Sequence, residues 1–138
     1  MSLLSNINTP CIGICSTVYG DEVCRGCKRQ NHEIIAWNTY DEIQKQVVFN
    51  RLAGAIIKVM QHKVVVTDAA QLREQLESHA IRYREEQDPL CWAFHLLRVG
   101  ANKIHDLPQY GLAIQPGYQH YSLAELFTLI DEELLSLS

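Results

Sequence analysis

A chain of 138 residues with 47% hydrophobic and 20% charged residues has the composition of a globular domain, which excludes disorder as the starting description. The net charge is -4, with six Lys/Arg against five Asp/Glu over residues 1–62 and six against eleven over 63–138. Neither part carries the basic excess of a phosphate-tracking surface, so nucleic acid is not an expected partner.

The opening "MSLLSNINTP" lacks the basic and then apolar pattern of a secretory signal, and no apolar run approaches the ~18 residues of a membrane span. A cytoplasmic protein without membrane contact is expected. The segment "PCIGICSTVYGDEVCRGCKR" follows. Ser16–Tyr19 and Glu22–Cys24 are short β-prone runs on either side of Gly20-Asp21, a hairpin signal. Pairing across that turn runs back towards Cys15 on one side and Gly26 on the other, and so gathers the cysteines at the hairpin base. Thr39 with Glu42 has the spacing of a capping box. Val48, Leu52, Ala55, Ile56 and Val59 then recur at helical spacing, predicting a helix from about Tyr40 to Met60 with Gly54 as its weak point.

"KVVVTD" (63–68) reads as a strand. Asp68 with Gln71 opens a helix to about His79, and "AIRYREEQ" alternates like a strand with one wet face. Asp88-Pro89 caps and starts a helix, apolar nearly all round, that ends at Gly100. "QYGLAIQPG" predicts a strand and then a turn. Ser122 with Glu125 opens a last helix whose stripe is Leu123, Leu126, Phe127, Ile130 and Leu134. The expected fold class is α+β and helix-rich, a small N-terminal four-cysteine hairpin followed by helices and a few short strands. The division is a metal-binding module with its following helix (1–62) and an α+β C-terminal region (63–138).

Cys11, Cys15, Cys24 and Cys27 are spaced C-x3-C-x8-C-x2-C. In a reducing compartment clustered thiols are more often metal ligands or catalytic groups than disulfides. A tight turn in C-x2-C points backbone N–H groups inward and lets two sulfurs converge, with Gly26 expected to supply positive φ. Four thiolates suit Zn(II), and equally a cysteine-ligated iron–sulfur cluster. A small hairpin without its own hydrophobic shell gains folding energy from a structural ion, which favours zinc slightly. Ile12, Ile14, Ile34 and Trp37 would shield a cluster in the alternative case. A redox dithiol at Cys24/Cys27 would normally follow a strand and open a helix, whereas the next helix signal here lies a dozen residues on.

"PCIGIC…CRGCKR…HEIIAW", followed by a helix carrying "RL", resembles a small bacterial four-cysteine family, domain of unknown function 1289, often labelled predicted iron–sulfur protein. The resemblance spans roughly residues 9–55. It implies that Cys11, Cys15, Cys24 and Cys27 are the family's four cysteines and that Trp37 and the helix after it belong to its pattern. It implies no activity, and it does not reach residues 64–138.

The expected function is that of a metal-binding protein whose site is structural and whose module contacts another protein. Two rivals stand beside it: an iron–sulfur protein in electron transfer or redox sensing, and an enzyme sited in the C-terminal region. For the latter the candidates are Cys91 with His95, four residues apart on one helix, or the loop around Tyr118, His120 and Tyr121. Core packing is the plainer reading of Cys91 and His95. His32 reads as a surface histidine. Arg25, Lys28 and Arg29 offset thiolate charge, or meet an acidic partner. His79, Arg82 and Arg84 would make a small anion-binding edge or a solvated strand face. No Gly-rich phosphate loop, G-x-S-x-G or H-E-x-x-H is present, so no catalytic residue is assigned.

Overall fold

The computed structural model describes residues 9–13 and 15–138. The opening stretch through Asn8, and Ile14 among the expected cluster shields, lie outside the described residues. In chain order the elements are α1 (Asn31–Ala36), α2 (Glu42–Met60), β1 (Val64–Val66), α3 (Ala69–Ser78), α4 (Pro89–Gly100), β2 (Leu112–Ile114) and α5 (Leu123–Leu137), with short 3-10 turns between them. The fold is helix-rich α+β, as the periodicities predict. No helix among the described residues is long and apolar enough to cross a membrane.

The caps explain where the helices begin. Asp41, not Thr39, opens α2: its carboxylate accepts the Gln44 N–H at 2.8 Å and the Gln44 side chain accepts the Asp41 N–H at 2.9 Å. Thr39 is spent locally, donating its hydroxyl to the Ala36 carbonyl at 2.6 Å. Asp68, Asp88 and Ser122 cap α3, α4 and α5 as expected. Gly54 does not interrupt α2. The helix gains more from packing its ends than one glycine costs, about 1 kcal/mol.

Two expectations fail for physical reasons. The hairpin over residues 16–24 does not form: Ser16–Tyr19 is a 3-10 turn closed by Gly20 at φ 101°, and Val23 pairs instead with Gln30. Val18 and Tyr19 stay 74% and 89% exposed, so a two-stranded ribbon there would have no core face to bury. The Ser16 hydroxyl takes the Arg25 N–H at 2.8 Å, a local bond that competes with a strand ladder. The 81–84 stretch keeps its alternation, with Ile81 and Tyr83 buried, yet lies outside the β1–β2 sheet. Left-handed Ala80 (φ 55°) closes α3, and the Ile81 N–H is given to the Leu76 carbonyl at 2.9 Å while the Ala80 N–H goes to Glu77 at 3.2 Å. That is a Schellman closure, which uses a donor the strand would need.

β1 and β2 pair antiparallel, Val64 with Ile114, Val65 with Ala113 and Val66 with Leu112, across a connection that holds α3 and α4. Gly111 makes this possible. Its φ is 73°, and a Cβ there would collide with the Asp68 carbonyl.

α4 is the centre of the main core, burying Cys91, Trp92, Ala93, Phe94, Leu96, Leu97 and Gly100. Leu126, Ile130 and Leu134 of α5 and Val59 and Met60 of α2 close over it, each full burial contributing roughly 1.5–3 kcal/mol. The other half of α2 faces a smaller cluster of Trp37, Val48 and Phe49, with Tyr40 and Leu52 against it. α2 therefore carries the cysteine segment on one part of its length and the main core on the other.

Candidate metal centre

The turn Cys24–Arg29 is built by its backbone. The Lys28 N–H donates to the Cys24 carbonyl at 2.8 Å and the Cys24 N–H to the Arg29 carbonyl at 2.9 Å, folding the C-x2-C pair back on itself. The left-handed residue is Lys28, φ 65°, rather than Gly26. A lysine holds this conformation because its far end is fastened: Nζ donates to the Arg25 carbonyl and, at 2.6 Å, to Asp131 on α5. Lys28 is 6% exposed, so this ion pair seats the cysteine turn on the last helix.

The sulfurs share a local pattern. Each receives a donor or hydroxyl from the residue two positions on. The Gly13 N–H donates to Cys11 Sγ at 3.3 Å, the Gly26 N–H to Cys24 and the Arg29 N–H to Cys27. Cys15 Sγ lies 2.9 Å from the Thr17 hydroxyl. Such bonds favour the charged form of the sulfur. At Cys24 burial pushes the thiol up, but N–H groups from Cys27, Ser16 and Gly26 outweigh it and bring the pKa down to about 7. At Cys27 burial wins and the thiol is raised, although Arg29 adds a second bond through Nε at 3.3 Å.

Cys24 and Cys27 are brought together, both buried, with their side chains in hydrogen-bond contact. Cys15 is intermediate and Cys11 exposed. Among the described residues no three His, Cys, Asp or Glu side chains converge on one point that would hold a metal. Cys11 and Cys15 keep their local partners, Gly13 and Thr17. The Ser16 N–H, next to Cys15 in the chain, reaches the Cys24 sulfur.

Residues 9–55 match a family described as "Protein of unknown function (DUF1289)". The match is to this segment, which holds all four cysteines, α1 and most of α2. No curated protein and no solved structure matches the chain.

Within the matched segment the thiols are coupled to α2 through two side chains. Arg29, 4% exposed, places its guanidinium 4.9 Å from the Trp37 ring centroid while Nε holds Cys27, so one residue links sulfur to aromatic. The pairing of Glu33 with Arg51 was not legible in the sequence, because the partners are eighteen positions apart on different helices. Glu33 is 5% exposed and accepts from Arg51 Nη1 and Nη2 at 2.6 and 2.8 Å and from the Gln30 N–H at 2.8 Å. Burial disfavours its charge, but the Arg51 bond and the Gln30 N–H more than offset that and hold its pKa below the ordinary glutamate value. A depressed pKa contributes stability above the unfolded value, and that stability is lost as pH falls through the folded one. Glu33→Gln is thus expected to cost about 1.5–3 kcal/mol at neutral pH, the worth of a charge-assisted bond. It should also flatten the loss of thermal stability below about pH 4.3. An acid limb as steep as that of the unmodified chain would show that Glu33 is not its source.

The other candidates separate. His32 is exposed, as expected. Cys91 is fully buried, its thiol pushed up to about 12 by burial and then by Asp88, and Sγ faces the Ala53 carbonyl at 3.8 Å. His95 Nδ1 has no hydrogen-bond partner, so this nitrogen does not hold the Cys91 thiol. Arg84 ion-pairs with Glu86 and lies 3.8 Å over Phe49, while His79 stacks on Tyr110. Tyr118 and His120 each lie against Tyr121, and Lys63 Nζ is 5.2 Å from the Tyr118 ring centroid.

Proposed function

We propose that the segment matched by DUF1289 is a structural metal module, with Cys11, Cys15, Cys24 and Cys27 holding one Zn(II), and that it serves as a docking surface for another protein. The observation that carries this reading is the repeated contact from residue i+2 to each of the four sulfurs. At Cys24 these contacts outweigh burial and favour the thiolate. When bound, zinc supplies a four-coordinate cross-link and no redox chemistry. The chain's own part is electrostatic and mechanical. Four thiolates around a dication carry a formal charge of about -2, and Arg25, Lys28 and Arg29 bracket the second pair. Arg29 and Lys28 would transmit the closure to Trp37 and α5.

The partner surface is supported by where apolar side chains remain exposed. Val18, Tyr19, Ile35, Ile43 and Val47 lie between 62% and 89% exposed, all within the matched segment. Ile43 and Val47 are one turn apart on α2, on the face away from Val48 and Phe49. Exposed apolar groups of this kind are interaction candidates when they cluster.

A cysteine-ligated iron–sulfur cluster is the second reading, favoured by the deep burial of Cys24 and Cys27. Elemental analysis with a visible spectrum, on protein purified without oxygen, separates the two. One zinc per chain and no visible band is the expected result. Iron with acid-labile sulfide and a visible band would replace the structural reading with a redox one.

A further inference from the structure

A cavity of about 100 Å³ lies where the cysteine segment, α2, α4 and α5 meet. Leu52, Ile56, Phe94 and Leu134 supply apolar wall, and no Asp or Glu side chain lines it among the described residues. Cationic side chains do. Lys28, Arg51 and Arg84 are each committed to a carboxylate, Asp131, Glu33 and Glu86 respectively. His95 and Arg98, one turn apart on α4, are not. Their buried His95 Nδ1 and Arg98 Nε have no hydrogen-bond partner. A second, wider cavity of about 460 Å³ shares both residues, adds His79 and Arg82, and again lacks an acidic side chain among the described residues.

A buried donor left unpaired is costly, and more so on a charged group. Burial lowers the pKa of Arg98, the mark of a cation without a counter-charge. At His95 burial, and then Arg98, hold the pKa down to about 4, so the ring beside Arg98 is neutral. One guanidinium charge beside a neutral imidazole, both residues lining the cavity, matches one carboxylate. A phosphate dianion would bring a second charge to a single guanidinium and set oxygens against leucine and phenylalanine.

We propose that His95 and Arg98 form the head-group site for a short-chain monocarboxylate, whose apolar tail lies against Leu52, Ile56, Phe94 and Leu134. The smaller cavity has room for about three water-sized groups, which limits the tail to a few carbons. The wider one, with His79 and Arg82, is the approach. Both head-group residues come from α4, while Cys27 borders the smaller cavity and Cys11 the wider one.

The full chain, as purified, should be titrated with sodium butyrate against sodium chloride at equal ionic strength, by calorimetry and by amide NMR. Saturable binding of one butyrate per chain is expected, weakened at least tenfold by Arg98→Gln. No saturable binding, or equal affinity in the variant, overturns the proposal. Sulfate binding as tightly as butyrate also overturns it, in favour of a general anion site. Should Arg98→Gln fail to fold, the unmodified chain decides. Butyrate-induced shifts centred on Leu52, Phe94, His95 and Arg98 support the site, and shifts centred elsewhere reject it.

Discussion

Cys24→Ser is expected to strip the bound metal and to lower the midpoint of thermal unfolding by roughly 10 °C, from a loss of about 3 kcal/mol at about 3 °C per kcal/mol for a chain of this size. Serine is nearly the same shape and accepts the same N–H bonds, so packing is conserved and only the thiolate is removed. Cys24 is the informative choice because it is 1% exposed and sits where N–H groups from Cys27, Ser16 and Gly26 meet. Removing a group that merely orients a ligand costs about 10–100-fold in metal affinity, so removing the ligand should exceed that. Metal content and a thermal melt on the same preparation check both halves. Metal lost with an unchanged melt would defeat the structural role and leave the thiols to another purpose.

Trp37→Ala should cost about 3–5 kcal/mol, the range for truncating a buried large aromatic. Trp37 is 7% exposed and meets Phe49 edge-on at 5.7 Å between centroids and Tyr40 at 6.1 Å. Val48 completes the buried cluster, which is too small to repack around the void. The same substitution takes the aromatic face from under Arg29, whose Nε is bonded to Cys27. Metal retention should therefore weaken even though no thiol has changed. Trp37→Phe keeps a ring and should recover most of both effects. Urea denaturation, read as a shift in midpoint at constant slope, with metal content alongside, is the measurement. A cost under about 1 kcal/mol would mean the void collapses, and that Trp37 is not what joins the thiols to α2.

α2, α3, α4 and α5 were legible, and α1 was not, because each of the four rests on a signal confined to a few residues. Asp68, Asp88 and Ser122 are caps that act on the next turn of chain, and the stripe Leu126, Ile130, Leu134 has only one way to be buried. The family resemblance over residues 9–55 was carried by "PCIGIC…CRGCKR…HEIIAW" and the "RL" of the next helix, which are also local signals. The errors fell where two local options differed by little. Thr39 and Asp41 could both start α2, and the side chain that bonded backward to Ala36 lost the role. Ser16–Tyr19 looked β-prone in isolation, but a strand needs a partner and a face to bury, and this one found neither.

The sequence by itself determined the starts of α3, α4 and α5 and the buried character of α4, since these depend on contacts within a turn or two. Only the tertiary structure decided which distant charges meet. Lys28 with Asp131, Lys63 with Glu133 and Arg51 with Glu33 are pairs 103, 70 and 18 positions apart. It also decided that His95 Nδ1 and Arg98 Nε are buried without a hydrogen-bond partner, while Lys28, Arg51 and Arg84 beside the same cavity are each ion-paired. The reason is that burial and pairing of a charge are properties of the whole packed interior. Periodicity can place a residue on a face, but only the folded chain fixes what stands opposite.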